Sequence, residues 1–348
     1  MEKIDAQIDK WKNKLLDLGK RNRLINYKET KRSNIKIVEP KLEEIFAKVV
    51  IEEKSLCFPH PINQSFDEDV KESHEMISEG DIKTNRNINE QQKTLASLRN
   101  KARTAIQEQG INILYLSFGF LNWKESDTSE IYLRSPLVLV PVLLTIQSVT
   151  EPFVLDLHED EIVVNPTLLY KLENDFGVIL PNFDQQKEDI LGYLKEVTNI
   201  VKKNNWEVSD EVGLSLLSFL KINMYKDLEN NVDKIKNHPV LRGLAGDIDN
   251  IDEISDEYDN YDHDNKIKPI DMFQVVDADS SQQDAILYSK KNFSFVLQGP
   301  PGTGKSQTIT NIISEALADG KKVLFVSEKM AALEVVYKRL SKVCYSNL

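Results

Sequence analysis

The sequence predicts an α/β protein: an N-terminal α+β domain followed by an incomplete domain of parallel βαβα order. Three observations carry that expectation. A glycine-rich segment, Gly299-Pro300-Pro301-Gly302-Thr303-Gly304-Lys305-Ser306, lies between a short apolar run and an amphipathic run. Two long apolar stretches, 111–123 and 131–146, flank a polar turn, which is the pattern of an antiparallel hairpin. An acidic stretch, 247–264, contains no Lys or Arg and separates the two regions. The expected division is therefore a domain over 1–246, an acidic linker over 247–268 and a nucleotide-binding domain over 269–348.

Bulk properties narrow the classes. With 348 residues, 41% hydrophobic and 29% charged, the chain has material for two buried cores. Its longest apolar run, 135–146, is broken by Pro136 and Pro141 and falls far short of a bilayer span. The N-terminus carries no apolar core followed by a cleavage site. No membrane contact and a cytoplasmic location are expected, with Cys57 and Cys344 as reduced, incidental thiols. The net charge of -12 argues against binding nucleic acid through bulk positive charge, though it leaves room for a local basic groove.

In chain order, Ile4, Ile8, Trp11, Leu15 and Leu18 share one helical face, and Gly19 ends that helix. Lys20, Arg21 and Arg23 form a basic patch, read either as a solvated turn or as a nucleic-acid contact. Residues 24–27 have strand composition, and Pro40 opens a helix to Ile51. Residues 58–92 are polar and aperiodic and read as a mobile insertion. A helix over 90–109 points Leu95, Leu98, Ala102 and Ala105 inward and stops at Gly110. After the hairpin come strands at 153–157 and 161–164, then helices at 165–174 and 184–203. A strand at 214–219 and a helix at 225–235 complete this region. The acidic linker is read as a solvated tether, because its spacing lacks the Gly and terminal Glu of a calcium loop.

The glycine-rich segment satisfies G-x-x-x-x-G-K-[ST] in full. Phe293 to Leu297 before it reads as a buried strand, and 307–318 after it as a helix. Lys321 to Ser327 reads as a second buried strand and 329–342 as a second helix, which gives the βαβα order. Triphosphate oxygens require close approach of several backbone N–H groups, which explains Gly302 and Gly304. Lys305 would reach the β and γ phosphates, and the Ser306 hydroxyl would ligate Mg²⁺. ATP and Mg²⁺ are the expected cofactors, with Gln307 next to the loop. Gln282, seventeen residues before Gly299, could present donor and acceptor together to adenine.

At these residues the chain resembles a superfamily 1 helicase of the branch that includes the RNA-decay helicases. The match comprises a glutamine motif at Gln282, the phosphate loop, and motif Ia in Val323 to Ser327 with the helix after it. The resemblance implies a RecA-like domain and assigns contacts with single-stranded nucleic acid to Ser327 and Lys329. Leu15 to Asn26, Gly110 to Leu116, Gly119 to Leu121, Ser135 to Val142 and Met224 to Leu228 resemble a poorly characterised domain that precedes the motor in large bacterial helicase-related proteins. The acidic pair and the arginines that hydrolysis needs follow motif Ia in that family, beyond Leu348 here. Two functions are expected in competition. One is the ATP-binding N-terminal portion of a helicase or translocase, truncated after motif Ia, not competent for hydrolysis alone and completed by a second chain. The other is a nucleotide-binding or interaction protein that never hydrolyses ATP.

Overall fold

The computed structural model describes residues 2–344 apart from 16, 63–75, 127, 149, 185–188 and 248–260. The chain divides into two compact units, residues 12–229 and a second made of 1–11 with 230–348. Among the described residues no helix is long and apolar enough to cross a membrane.

Helix α1 (Glu2–Leu15) buries Ile4 and Ile8 and ends short of Gly19. The strand expected at 24–27 is instead a run of turns. Asn22 causes this: its Oδ1 accepts the Leu24 N–H at 3.0 Å, and its carbonyl accepts the N–H groups of Ile25 and Asn26. Such local bonds compete with a ladder. Leu24, Ile25 and Tyr27 are buried all the same. Strand β1 (Asn34–Glu39) follows, and α2 (Leu42–Phe46) runs into a π-helical turn over Ala47–Ile51. Four short strands come next: β2 (Leu56–Cys57), β3 (Pro61–Ile62), β4 (Met76–Ile77) and β5 (Lys83–Thr84). The last three lie in the region 58–92 read as an insertion, of which 63–75 falls outside the described residues.

Helix α3 (Ile88–Gln109) starts at Asn87, whose side chain accepts the Glu90 N–H, and stops at Gly110 with φ 71°. Strands β6 (Leu114–Trp123) and β7 (Leu133–Thr145) form the expected hairpin, with Leu116 opposite Val140 and Trp123 opposite Leu133. β8 (Val154–Leu157) and β9 (Val163–Val164) pair with β7. Helix α4 (Pro166–Phe176) is capped by Asn165 and α5 (Ile190–Val201) by Asp189. β10 (Glu207–Leu216) begins well before the expected 214 and leads to α6 (Leu220–Asn230).

These strands form one sheet in the order β2-β8-β7-β6-β10-β1-β5, with β9 also on β7, and its pairings are antiparallel. β3 and β4 pair separately. One face carries the main core, where α3 and α5 cover Leu116, Phe118, Val138, Val140 and Leu214. The other face holds a smaller cluster of Leu24, Tyr115, Leu139 and Leu217.

At Gly119 the backbone has φ +72°, next to a register shift between β6 and β10. A Cβ there would stand 2.4 Å from Leu194 Cδ2 on α5. Gly119→Ala should therefore cost about 2–4 kcal/mol, from left-handed strain plus overpacking. Urea denaturation would show a lower midpoint at unchanged slope, and an unchanged midpoint would refute this account.

The second unit contains α7 (Val232–Asn237), α8 (Pro239–Leu244), α9 (His263–Lys266), α10 (Ser280–Lys290), α11 (Lys305–Ala318) and α12 (Met330–Cys344). The acidic tether falls mostly on 248–260, outside the described residues. Here the expected fold class is overturned. The chain's sheet is antiparallel, and the expected parallel βαβα, RecA-like arrangement does not form. The apolar runs 293–297 and 321–327 carry no strand, and Val296, Leu324 and Val326 are 82%, 88% and 75% exposed. The physical reason is that a strand is defined by its ladder, and strand composition without a paired neighbour leaves only extended chain.

Candidate functional site

The phosphate loop turns directly into α11. Gly304 is the residue before the helix, with φ 75° and ψ 15°, and Gly302 has φ +91°. Both values lie where L side chains are strained. The two glycines differ in their surroundings. A Cβ on Gly304 would stand 2.3 Å from Gln282 Nε2 and 2.8 Å from Gln307 Oε1, whereas a Cβ on Gly302 would meet open space. Gly302 is therefore required by its backbone angle, not by crowding within the loop. Gly299 is required by contact, since its Cβ would meet Thr303 Oγ1 at 2.4 Å.

Polar contacts close the loop on itself. Thr303 Oγ1 donates to the Pro300 carbonyl at 2.9 Å. Lys305 Nζ donates to the carbonyls of Gly299 at 2.5 Å and Pro300 at 2.8 Å. Pro301 and Ser306 are exposed, and Gln307 N–H bonds to the Gly304 carbonyl at 2.7 Å. The opening turn of the 14-residue α11 sets its N–H groups and positive dipole end beside this loop. Glycines demanded by crowding at Gly299 and Gly304 and by backbone angle at Gly302, a lysine within reach of the loop and a helix N-terminus together fit a polyphosphate. The Ser306 hydroxyl at the helix start fits one ligand of a Mg²⁺ ion that takes its other ligands from phosphate and water. Among the described residues no group of three or more His, Cys, Asp or Glu could hold a metal by itself.

Gln282 is brought against the loop: its Nε2 donates to the Thr303 carbonyl at 3.2 Å. The same side chain completes a capping box at the start of α10. Its Oε1 accepts the Asp279 N–H at 3.1 Å, and Asp279 Oδ1 accepts the Gln282 N–H at 2.9 Å. That second bond is the leading cause holding the Asp279 carboxyl below its usual range. The next residue, Gln283, exchanges two amide bonds with Gln274, at 2.6 and 2.8 Å.

Ser327 and Lys329 lie further on. Ser327 Oγ accepts the Lys329 N–H at 3.3 Å ahead of α12, and Lys329 is exposed. Among the described residues neither makes a hydrogen bond to the phosphate loop. In the N-terminal patch Lys20 pairs with Glu125 at 3.1 Å, Arg21 is exposed and Arg23 half-buried.

Periodicity read α11 only in part. Of Ile309, Ile312, Ile313, Ala316 and Leu317, all placed inward, Ile313 is buried and three are half-buried, yet Leu317 is 51% exposed while Thr308, Asn311 and Glu315 are buried. Those three polar residues fall at i, i+3 and i+7, so a helical face was present in the sequence, but a polar one. At Asn311 and Glu315 that face meets backbone.

Residues 14–172 match a family described as a protein of unknown function (DUF4011), and residues 277–347 match a family described as an AAA domain. A protein of Mycoplasma genitalium, named as an uncharacterized ATP-dependent helicase, is 28% identical over 275 residues. Its homolog in Mycoplasma pneumoniae is 29% identical over 275 residues. Each alignment covers 72% of this chain and 24% of the relative, so the chain spans about a quarter of the curated relatives it matches. No solved structure matches significantly. The chain thus joins a DUF4011-like N-terminal domain to an AAA-type region and is related, at modest identity, to helicase-named bacterial proteins.

Proposed function

We propose that this chain binds ATP with Mg²⁺ through Gly299–Ser306 and is a nucleotide-binding portion of a superfamily 1 helicase or translocase. The observation that carries this reading is the loop itself, in which Gly304 at φ 75° turns the chain into α11 beneath Lys305. The AAA-domain match over 277–347 and the helicase-named relatives support an ATP-interacting, motor-related protein. Lys305, which donates to the Gly299 and Pro300 carbonyls, would be the group to meet the phosphate oxygens, and the Ser306 hydroxyl would help hold the ion. Gln282 meets adenine by releasing part of its capping box, at a cost of about 1 kcal/mol. Residues 269–348 are the nucleotide-binding region, and the compact unit 12–229 within the expected 1–246 domain is a separate module. Single-stranded nucleic acid would be met through Ser327 and Lys329, with a second chain or further sequence completing the motor.

Hydrolysis needs an acidic group aimed at the metal and the attacking water. The acidic residues after the loop are otherwise disposed. Glu315 is buried against Lys290 and Phe273, Glu334 pairs with Lys338 at 3.1 Å, and Asp319 and Glu328 are exposed. We expect the chain to bind a fluorescent ATP analogue in a Mg²⁺-dependent way, with inorganic tripolyphosphate competing. Release of phosphate should stay at background, with or without single-stranded DNA. A chain that binds neither ATP nor tripolyphosphate would sink the reading, and steady turnover would sink its hydrolysis clause.

A further inference from the structure

Helix α11 works at both ends. Its first residue, Lys305, closes the phosphate loop. Its later turns carry Asn311 and Glu315, 0% and 2% exposed, two polar side chains that burial would penalise unless they were bonded. Both are bonded, to one stretch of backbone. Asn311 Oδ1 accepts the N–H groups of Val275 at 3.0 Å and Val276 at 3.1 Å, while its Nδ2 donates to the Val276 carbonyl at 2.8 Å. Glu315 Oε1 accepts the Phe273 N–H at 2.9 Å, and its Oε2 pairs at 2.7 Å with Lys290, which also donates to the Asp271 carbonyl. Side chains of α11 therefore hold residues 273–276 as a sheet neighbour would, and Lys290 of α10 ties Asp271 to the same cluster.

That stretch leads within three residues to Asp279, the cap whose box includes Gln282. The path then closes, because Gln282 Nε2 returns to the Thr303 carbonyl of the phosphate loop. Phosphate loop, α11, residues 273–276, Asp279 and Gln282 make one ring of contacts. Within it only Asn311 makes three hydrogen bonds to a single dipeptide, so it sets where the segment enters α10.

We infer that Asn311, with Glu315 beside it, is a positioning residue for base selectivity: it fixes Gln282 relative to the phosphate loop so that adenine is preferred over guanine. The inference rests on the ATP-binding reading above and names a determinant of that same site. Asn311 touches no phosphate; it acts through residues 275–282. Its loss should therefore separate base recognition from phosphate recognition, which general loosening of the fold would not do.

The test uses the full chain and three probes: a fluorescent ATP analogue, a GTP analogue with the same fluorophore, and inorganic tripolyphosphate as competitor. Asn311→Ala should reduce the ATP-over-GTP preference about tenfold, the worth of one or two misplaced hydrogen bonds. Tripolyphosphate affinity should stay within about twofold, since Lys305 and the loop amides are untouched. Asn311→Asp keeps both acceptor contacts and should recover part of the preference, whereas Gln282→Ala should reproduce the full loss. If thermal melting shows Asn311→Ala unfolded, Asn311→Asp and Glu315→Gln carry the same test with smaller losses. Unchanged selectivity in a folded variant, or equal loss for all three probes, overturns the inference. A wild-type chain that binds none of the three brings down the underlying ATP-binding reading, a distinct result.

Discussion

Lys305→Ala should weaken binding of a fluorescent ATP analogue at least about a hundredfold, the loss expected when one charge-assisted contact to phosphate worth roughly 3 kcal/mol disappears. The side chain has two roles in the geometry. Its ammonium would meet the phosphates, and it also donates to the Gly299 and Pro300 carbonyls, so its removal slackens the loop as well. Lys305→Met separates these in part, keeping the apolar stem without the charge. Both variants should retain the melting temperature of the wild type, since the lysine is only half-buried and α11 is anchored by Asn311 and Glu315. Anisotropy titration in excess Mg²⁺ measures the loss. Equal affinities for wild type and both variants would place the nucleotide away from this loop.

The loop was legible in the sequence because its constraints are local. Gly302 and Gly304 sit at φ +91° and +75°, values that favour glycine whatever the rest of the chain does. The same holds for the end of α3 at Gly110 and the start of α4 at Asn165. The β6–β7 hairpin was legible because its partners are joined by one turn. What was misread depends on distant partners. β1 pairs with β10 across nearly the whole N-terminal unit, Asn34 opposite Ser215, and nothing near residue 34 announces that. Residues 24–27 have the composition of a strand, but Asn22 captures their backbone in turns, the Leu24 N–H with its side chain and those of Ile25 and Asn26 with its carbonyl. The run 321–327 has strand composition without a ladder, so periodicity named a parallel pair that the structure does not form. On α11 the rule that apolar residues face inward held for Ile313 but missed the polar face, because the neighbour that face covers is backbone, which calls for Asn and Glu.

Asn165→Leu should destabilise residues 12–229 by about 3–5 kcal/mol, among the largest single-residue costs the fold offers outside its apolar core. The side chain is 0% exposed and uses its whole amide. Nδ2 donates to the Leu24 carbonyl at 2.7 Å and the Pro136 carbonyl at 2.9 Å, while Oδ1 accepts the Leu168 N–H at 3.1 Å and so caps α4. One residue thereby joins the turn at 22–27, the strand β7 and the start of a helix. Beside it Ser135 Oγ donates to the Ile25 carbonyl at 2.6 Å and accepts the Trp123 indole N–H at 2.8 Å. Leucine keeps the branched shape of asparagine but is bulkier, so the cost combines three backbone groups left dry and unpaired with some overpacking. A lost cap alone would cost about 1 kcal/mol. Asn22→Ala is the informative comparison. Asn22 also makes bonds to backbone, to the Asp17 carbonyl at 2.6 Å and from the Leu24 N–H, but it is half-buried and water can replace it. Its loss should cost about 1 kcal/mol or less. Denaturation midpoints that rank Asn165→Leu far below Asn22→Ala would locate the stability of this joint in burial of the bonds, not in their number. Equal midpoints would show that the Asn165 amide is dispensable and that the apolar contacts of Leu24, Ile25 and Leu168 hold the joint unaided.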